Sequence, residues 1–452
     1  MTCWLKFQMK LSTMLKELIE LYMISVQNHQ RRLSGNKIVL AVALALCFSS
    51  CTTKKIGVLR SPSSKGEQGT ASNNGGITAA KQAEDAKKLE AAKASESLKN
   101  QKSIALLLPF QLNRISGMRP TAEDVKRSAL ALDFYQGFQL GLEELGDQGS
   151  KFNLQVIDSE DDNYRNSSLA TSTVIKNASL IVGPIYPKEI KAFSQSFKDK
   201  NVLQISPLAA TLASEFAIPN LVSLTPSIRA HSEIMAKYVS KQYAYGDIVL
   251  VYHVQDADSK QFLDNFASEA LGYNKSLQIK VVTSIAELND NLVVAGTNHI
   301  ICGTTNRNQI RALLANMDVQ SSESGYAFKL YGHPNWAKLS FEDYTNIDRY
   351  ELTVTTSTLV DEGAEKTRKF DQKYKANFKI VPSDFSYKGY DAAIYFGGLI
   401  TKYGEDYVKH LVTETYSGIN NDFSFDYFPE WGYVNRGIRF MIYRNNNFDR
   451  KL

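Results

Sequence analysis

Short unbroken apolar runs, each followed by residues that turn apolar at every third or fourth position, recur along most of this chain. Ile104-Ala-Leu-Leu-Leu-Pro109 is the first, and a run of this kind, stopped by proline, suits a parallel strand buried on both faces. Ala131, Phe134, Phe138, Leu142 and Leu145 follow at gaps of three and four, which predicts a helix. Strands are expected at Phe152–Ile157, Leu180–Gly183, Val202–Ile205 and Leu221–Leu224, with helical patterns at Ser168–Lys176 and through Ile190, Phe193 and Phe197. A second series runs from the helix of His231, Ile234, Met235 and Tyr238 to the strands Ile248–Tyr252, Leu277–Val282, His299–Cys302 and Phe328–Tyr331. Strands alternating with helices imply βαβ units on a parallel sheet, and two such series imply two similar α/β lobes. The helical faces of Phe370, Tyr374 and Phe378, and of Ala392, Tyr395, Phe396 and Leu399, then read as a return to the first lobe. The aromatic segment Phe423–Tyr433 and a strand at Ile438–Tyr443 end the chain.

The N-terminal part reads differently. Arg31, Arg32 and Lys37 precede the apolar run Ile38–Phe48, and Ser49-Ser50-Cys51 follows. A positive start, a short apolar core and small residues make a secretory signal. The core is shorter than the roughly 20 residues that span a bilayer. Cys51 directly after small residues resembles the lipobox of bacterial lipoproteins, with Phe48 where Leu or a small aliphatic is usual. Residues 1–50 are therefore expected to be a signal peptide, with Met23 an alternative start, and Cys51 the lipidated first residue of the mature chain. Residues 51–100 follow as a linker, poor in large apolar side chains in its first half and rich in Ala, Lys and Glu in its second. As a coil it would reach roughly 35–42 Å. The formal charge of +5 comes from these regions: residues 101–452 hold 37 basic and 40 acidic side chains, which removes the electrostatic support that nucleic-acid binding needs. Cys302 is the one cysteine of the predicted body and reads as a strand-end hydrophobe.

Several segments resemble type I periplasmic binding proteins, the family of the Leu/Ile/Val-binding proteins. They are Ile104–Phe110, Tyr135-Gln-Gly-Phe-Gln-Leu-Gly-Leu-Glu-Glu-Leu145, Val156-Ile-Asp158, Ile181-Val-Gly-Pro-Ile185, Ile205-Ser-Pro-Leu-Ala209, Tyr387-Lys-Gly-Tyr-Asp-Ala-Ala393 and Asn435-Arg-Gly-Ile438. The resemblance implies two Rossmann-like parallel-sheet lobes joined by three crossings, with residues 101–225 plus 357–430 in the first and 226–356 plus 431–452 in the second. It also implies a ligand held between them. Ile104–Pro109 and Ile181–Pro184 are similar as well to the C-terminal domain of penicillin-binding-protein activators, lipoproteins that contact a cell-wall synthase.

In parallel α/β sheets ligands sit beyond the carboxyl ends of the strands. The cleft candidates are Phe110, Tyr186, Ser206, Ala209 and Thr211 in the first lobe, and His253, Thr304, Thr305 and Trp336 in the second; His333 also follows a predicted strand. The segments Pro184–Lys188, Ala210, Asp256–Asp258 and His333-Pro334 depart from the amino-acid binders and leave an amino-acid head group without evident partners. Asp158-Ser-Glu-Asp-Asp162 lacks the glycine and distant glutamate of a calcium loop. No motif for nucleophilic, metal or phosphate chemistry is present, so no enzyme, metal or cofactor is expected. The expectation is a lipid-anchored periplasmic solute-binding protein, most naturally at the outer membrane, serving an ABC-type importer and taking a small polar ligand. The alternative is a scaffold that regulates a peptidoglycan synthase.

Overall fold

Two seven-stranded sheets divide the folded body between them. The structure, a computed structural model, describes residues 102–450 except 118, 200 and 345; the signal, Cys51 and the linker lie outside the described residues. The first sheet contains β1 (Lys102–Leu108), β2 (Phe152–Asp158), β3 (Leu180–Val182), β4 (Gln204–Ser206), β5 (Leu221–Ser223), β13 (Phe425–Phe428) and β14 (Gly432–Asn435). Their order is β13-β14-β5-β4-β3-β1-β2. The second sheet contains β6 (Ile248–Tyr252), β7 (Ile279–Val282), β8 (Thr297–Cys302), β9 (Ala327–Gly332), β10 (Thr353–Thr356), β15 (Arg439–Arg444) and β16 (Asn447–Arg450). It repeats the arrangement as β16-β15-β10-β9-β8-β6-β7. Strands β1 to β5 and β6 to β10 run parallel within their sheets, while β13, β15 and β16 are antiparallel to their neighbours. The antiparallel pair β11 (Tyr416–Ser417) and β12 (Asp422–Phe423) stands apart.

The apolar runs form parallel strands because helices cover both faces of each sheet. Residues 104–108 are fully buried. In the second lobe Leu250, Ile300 and Leu330 pack on one face, while Val249, Val251 and Ile301 pack on the other. The helices Ala122–Asp147 and Asp384–Tyr403 lie together in the first lobe. Glycines let their backbones approach: a Cβ on Gly389 would stand 2.1 Å from the Phe134 carbonyl oxygen. Among the described residues, no helix is long and apolar enough to cross a membrane.

The chain changes lobe three times, at residues 224–227, 357–364 and 436–438. The third crossing starts later than the expected boundary at residue 431, because β14 pairs with β5 of the first sheet. Each crossing leaves from the carboxyl end of a strand, β5, β10 or β14, so the carboxyl edges of the two sheets are turned toward each other. The crossings are tied side by side. The buried Asn435 donates from Nδ2 to the Leu224 carbonyl at 2.9 Å and accepts at Oδ1 from the Gly437 N–H at 2.9 Å. Arg439 grips Asp422 with two guanidinium nitrogens and donates to the Leu359 carbonyl at 2.9 Å.

Candidate binding site between the lobes

Strand order reverses between β3 and β1 in the first sheet and between β8 and β6 in the second. Such switch points leave a crevice at the carboxyl ends, where the flanking loops diverge. The loops at these points are residues 109–112 and 183–186 in one lobe, and 253–256 and 303–306 in the other. Five of the nine sequence-derived candidates lie in them: Phe110, Tyr186, His253, Thr304 and Thr305.

In the first lobe the loops are held by buried carboxylates. Asp158 accepts from the N–H groups of Gln111 at 3.1 Å, Leu112 at 2.8 Å and Glu160 at 2.9 Å. This fixes the left-handed turn at Gln111 (φ 55°) and buries Phe110 edge-on to Tyr135. Phe110 is 1% exposed, so it closes the top of the core instead of lining a cleft. Gly183 has φ 102°, and a Cβ there would lie 2.1 Å from the Leu107 carbonyl oxygen; only glycine allows the β3 loop to turn against β1. Tyr186, 37% exposed, stands at the start of the helix Pro187–Ser196. Its N–H donates to Glu189 Oε2 at 3.2 Å, and Asn166 Nδ2 donates to Glu189 Oε1 at 2.9 Å. Burial nevertheless pushes the Glu189 carboxyl from 4.5 up to about 6, the hydrogen bonds it accepts offsetting only part of the cost.

That shift has a measurable sign. The fold favours the protonated acid, so its contribution is complete below the unfolded value and is lost as pH rises through the folded one. Unfolding free energy should fall by about 2 kcal/mol between about pH 4.5 and 7 from this group. In Glu189→Gln, neutral throughout, the decline should be shallower by that amount; parallel urea-unfolding profiles for the two proteins would refute the assignment.

In the second lobe Asp256 caps the helix Ala257–Leu263, accepting from the Ser259 N–H at 2.7 Å, and also receives the Thr304 hydroxyl. Thr305 donates its hydroxyl to Asp258. His253 Nε2 lies 3.4 Å from Asp264 Oδ1. Trp336 is fully buried, with Nε1 donating to the Thr304 carbonyl at 2.7 Å and its ring against Phe341. Gly332 opens the space for it, since a Cβ there would be 2.3 Å from the indole. Trp336 is thus a brace beneath the Thr304 loop, not the cleft-lining residue expected from its strand-end position. Ala209 is likewise drawn into the apolar cluster of Ile190, Phe216, Ile218 and Leu221, while Thr211 is half-buried in the same loop.

Buried polar atoms without partners collect at the carboxyl ends of strands in both lobes. Ser206 ends β4 and Ser223 ends β5, opposite each other in register, and both hydroxyls are orphaned. Gln111 Oε1, Ser259 Oγ and His333 Nε2 share this condition. His333 is 1% exposed and uses Nδ1 to accept from the Asn335 N–H at 3.1 Å. Burial lowers its pKa to about 4, against the pull of Asp258 and Asp256; the ring is neutral at pH 7, with Nε2 carrying the proton. Ser223, Ser259 and Asp256 were not foreseen from the chain; a serine closing an otherwise apolar strand was the available signal for the first. Among the described residues no cluster of His, Cys, Asp and Glu could hold a metal ion. Cys302 is buried, its thiol pushed up to about 12 by burial.

The model of the receptor family ligand binding region matches residues 140–422. A branched-chain amino acid ABC transporter protein from Rhodospirillum rubrum shares the fold, with 15% identity, a TM-score of 0.53 and coverage of 78% of this chain and 100% of that one. An ABC transporter substrate-binding protein from Desulfitobacterium hafniense, in complex with Leu, aligns at 13% identity and TM-score 0.45, over 78% and 100% of the two chains. A solute binding protein of an ABC transporter from Rhodopseudomonas palustris, in complex with 3,4-dihydroxybenzoic acid, aligns at 14% and 0.44, over 78% and 97%. Among curated proteins, no sequence matches the chain. With the family match spanning well over half of its length, and two sheets of repeated topology joined by three crossings, the chain belongs to the receptor family ligand binding region family and has the type I periplasmic-binding-protein fold.

Proposed function

We propose that this chain is a non-enzymatic binding protein for a small polar solute, held between the facing carboxyl edges of its two sheets. The reading extends to a periplasmic location, tethering through Cys51 to the outer membrane, and delivery to an ABC-type importer. The observation that carries it is the register pair Ser206–Ser223. A buried hydroxyl with no partner costs about 1–3 kcal/mol, and here two stand side by side at the carboxyl ends of β4 and β5, next to the switch-point strand β3, within reach of a solute that enters between the lobes once their loops move. A solute that accepts from or donates to both hydroxyls would offset that cost, and closing the hinge would do the rest.

The test is calorimetric titration of the full chain with amino acids, aromatic carboxylates and muramyl peptides. One class should bind saturably, and Ser206→Ala with Ser223→Ala should weaken it by about tenfold or more. The same double variant should be no less stable than the parent without ligand, because neither hydroxyl has a partner to lose. Failure of every solute class, together with a co-purifying cell-wall synthase, would overturn this reading in favour of a scaffold.

A further inference from the structure

A cavity of about 190 Å³ lies on the flank of the crossings, apart from the switch-point loops. Leu212, from the loop between β4 and β5 of the first lobe, forms one wall. Arg229 and Ser232 of the helix Ile228–Gln242, Gln261 and Asn265, and Glu269 of the helix Phe266–Tyr273 form the others. The volume exceeds that of an engineered pocket of about 150 Å³ that accepts benzene, so a compound of a few heavy atoms fits.

The wall is the end of a ladder of alternating charges. Asp426 of β13 pairs with Arg436 of the third crossing at 2.9 Å, and Arg436 with Glu233 at 2.6 Å. Glu233 pairs with Arg229 at 3.3 Å, and Arg229 contacts Glu269 Oε1. Three carboxylates thus share two guanidinium groups. The deficit falls at the cavity, where Glu269 Oε2 is buried without any partner. Burial raises the pKa of this carboxyl despite Arg229 beside it, as expected for a carboxylate short of positive charge. The other charges nearby do not fill the gap: Lys260 lines the cavity but is solvent-exposed with no ion pair to Glu269, and Asp264 faces His253.

We propose that this cavity is a second solute site, which takes a small primary ammonium compound whose NH₃⁺ pairs with the Glu269 carboxylate, its partnerless Oε2 turning toward the cavity as the compound binds. Its hydrocarbon part rests on Leu212 and Phe262, and the Ser232, Gln261 and Asn265 side chains offer further hydrogen bonds. Leu212 belongs to the first lobe and the remaining walls to the second, so occupancy favours the lobe arrangement that keeps Leu212 over the cavity. The proposal does not depend on what the main cleft binds.

Calorimetric titration of the full chain with propylammonium chloride at low ionic strength tests it, with 1-propanol as the uncharged counterpart. Saturable binding of the ammonium compound, and none of the alcohol over the same range, is expected. Glu269→Gln should weaken it about tenfold or more, and Leu212→Trp, which fills the cavity and leaves the ladder untouched, should abolish it. Should Glu269→Gln unfold, Leu212→Trp alone decides. The absence of saturable propylammonium binding, or binding equal in the parent and Leu212→Trp, would overturn the assignment.

Discussion

Replacing Asp391 by alanine should cost the protein about 3–5 kcal/mol of unfolding free energy, although the residue touches no expected ligand position. Its carboxylate is fully buried and accepts from three consecutive backbone N–H groups, those of Ile419, Asn420 and Asn421, each at 2.8 Å, and from the Tyr416 hydroxyl at 3.2 Å. Alanine would leave three amides without an acceptor where water cannot reach. The damage should spread, because the loop that these bonds shape holds the second crossing. Asn421 Nδ2 donates to the Ser357 carbonyl at 2.9 Å, and the Asn420 carbonyl accepts from the Leu359 N–H at 3.0 Å. Asp391→Asn retains one acceptor oxygen and should lose roughly half as much. Urea unfolding of the three proteins measures this; a loss under about 1 kcal/mol for the alanine variant would show that the loop holds its shape unaided.

Asp391 also marks where sequence reasoning succeeded. The string Tyr387–Ala393 signals the fold because its aspartate performs a task that the fold repeats: anchoring a crossing. Asn435 in Asn435–Ile438 does the same for the first and third crossings. The parallel strands were equally legible, since burial on both faces writes an unbroken apolar run. The hairpin β13–β14 and strand β16 were not. Asp426 and Tyr427 face solvent while Phe425 is buried, so these strands carry a mixed pattern too short for periodicity to register. The threonine strand β10 escaped for a related reason: Thr353 and Thr355 are buried but polar, His231 Nδ1 lying 2.9 Å from the Thr355 hydroxyl. The aromatic segment Phe423–Tyr433 divides. Phe423 and Phe425 pack on Tyr395, whereas Tyr427 and Tyr433 pair on the hairpin surface.

Site residues were harder because strand-end loops have two duties. They face the opposite lobe, and they also cap the helix–sheet layers beneath. Aromatic size favours the second duty. Phe110 and Trp336 go inward, where burial is worth about 3 kcal/mol or more per ring, and the small hydroxyls of Ser206 and Ser223 stay at the strand ends, buried without partners. A chain read in one dimension does not say which way a loop residue turns. Gly332, four positions before Trp336, was the one hint that a bulky ring would fold back on the strand.

The glycines between the helices Ala122–Asp147 and Asp384–Tyr403 set up the sharpest contrast that substitution can test. Gly→Ala at an open helical site normally stabilises by up to about 1 kcal/mol. Gly146 and Gly398 are such sites, with nothing within 4 Å of an added Cβ. Gly137 is the opposite: its Cβ would stand 1.8 Å from the Ser386 carbonyl oxygen, with Ser386 C at 2.7 Å. Both are backbone atoms, so no rotamer change relieves the clash and the helices must part. Parting them strains the hydroxyl chain beneath, in which Ser386 donates to the Tyr374 hydroxyl at 2.9 Å and Tyr374 donates to Gln136 Oε1 at 2.5 Å. Overpacking that side chains can absorb costs about 1–3 kcal/mol; here the loss should reach or exceed the upper end. Gly137→Ala should therefore lower unfolding free energy by about 3 kcal/mol or more, while Gly146→Ala on the same helix and Gly398→Ala on its partner leave it unchanged or raised. Chemical denaturation of the three single variants decides: three similar values would mean that the two backbones do not meet at Gly137.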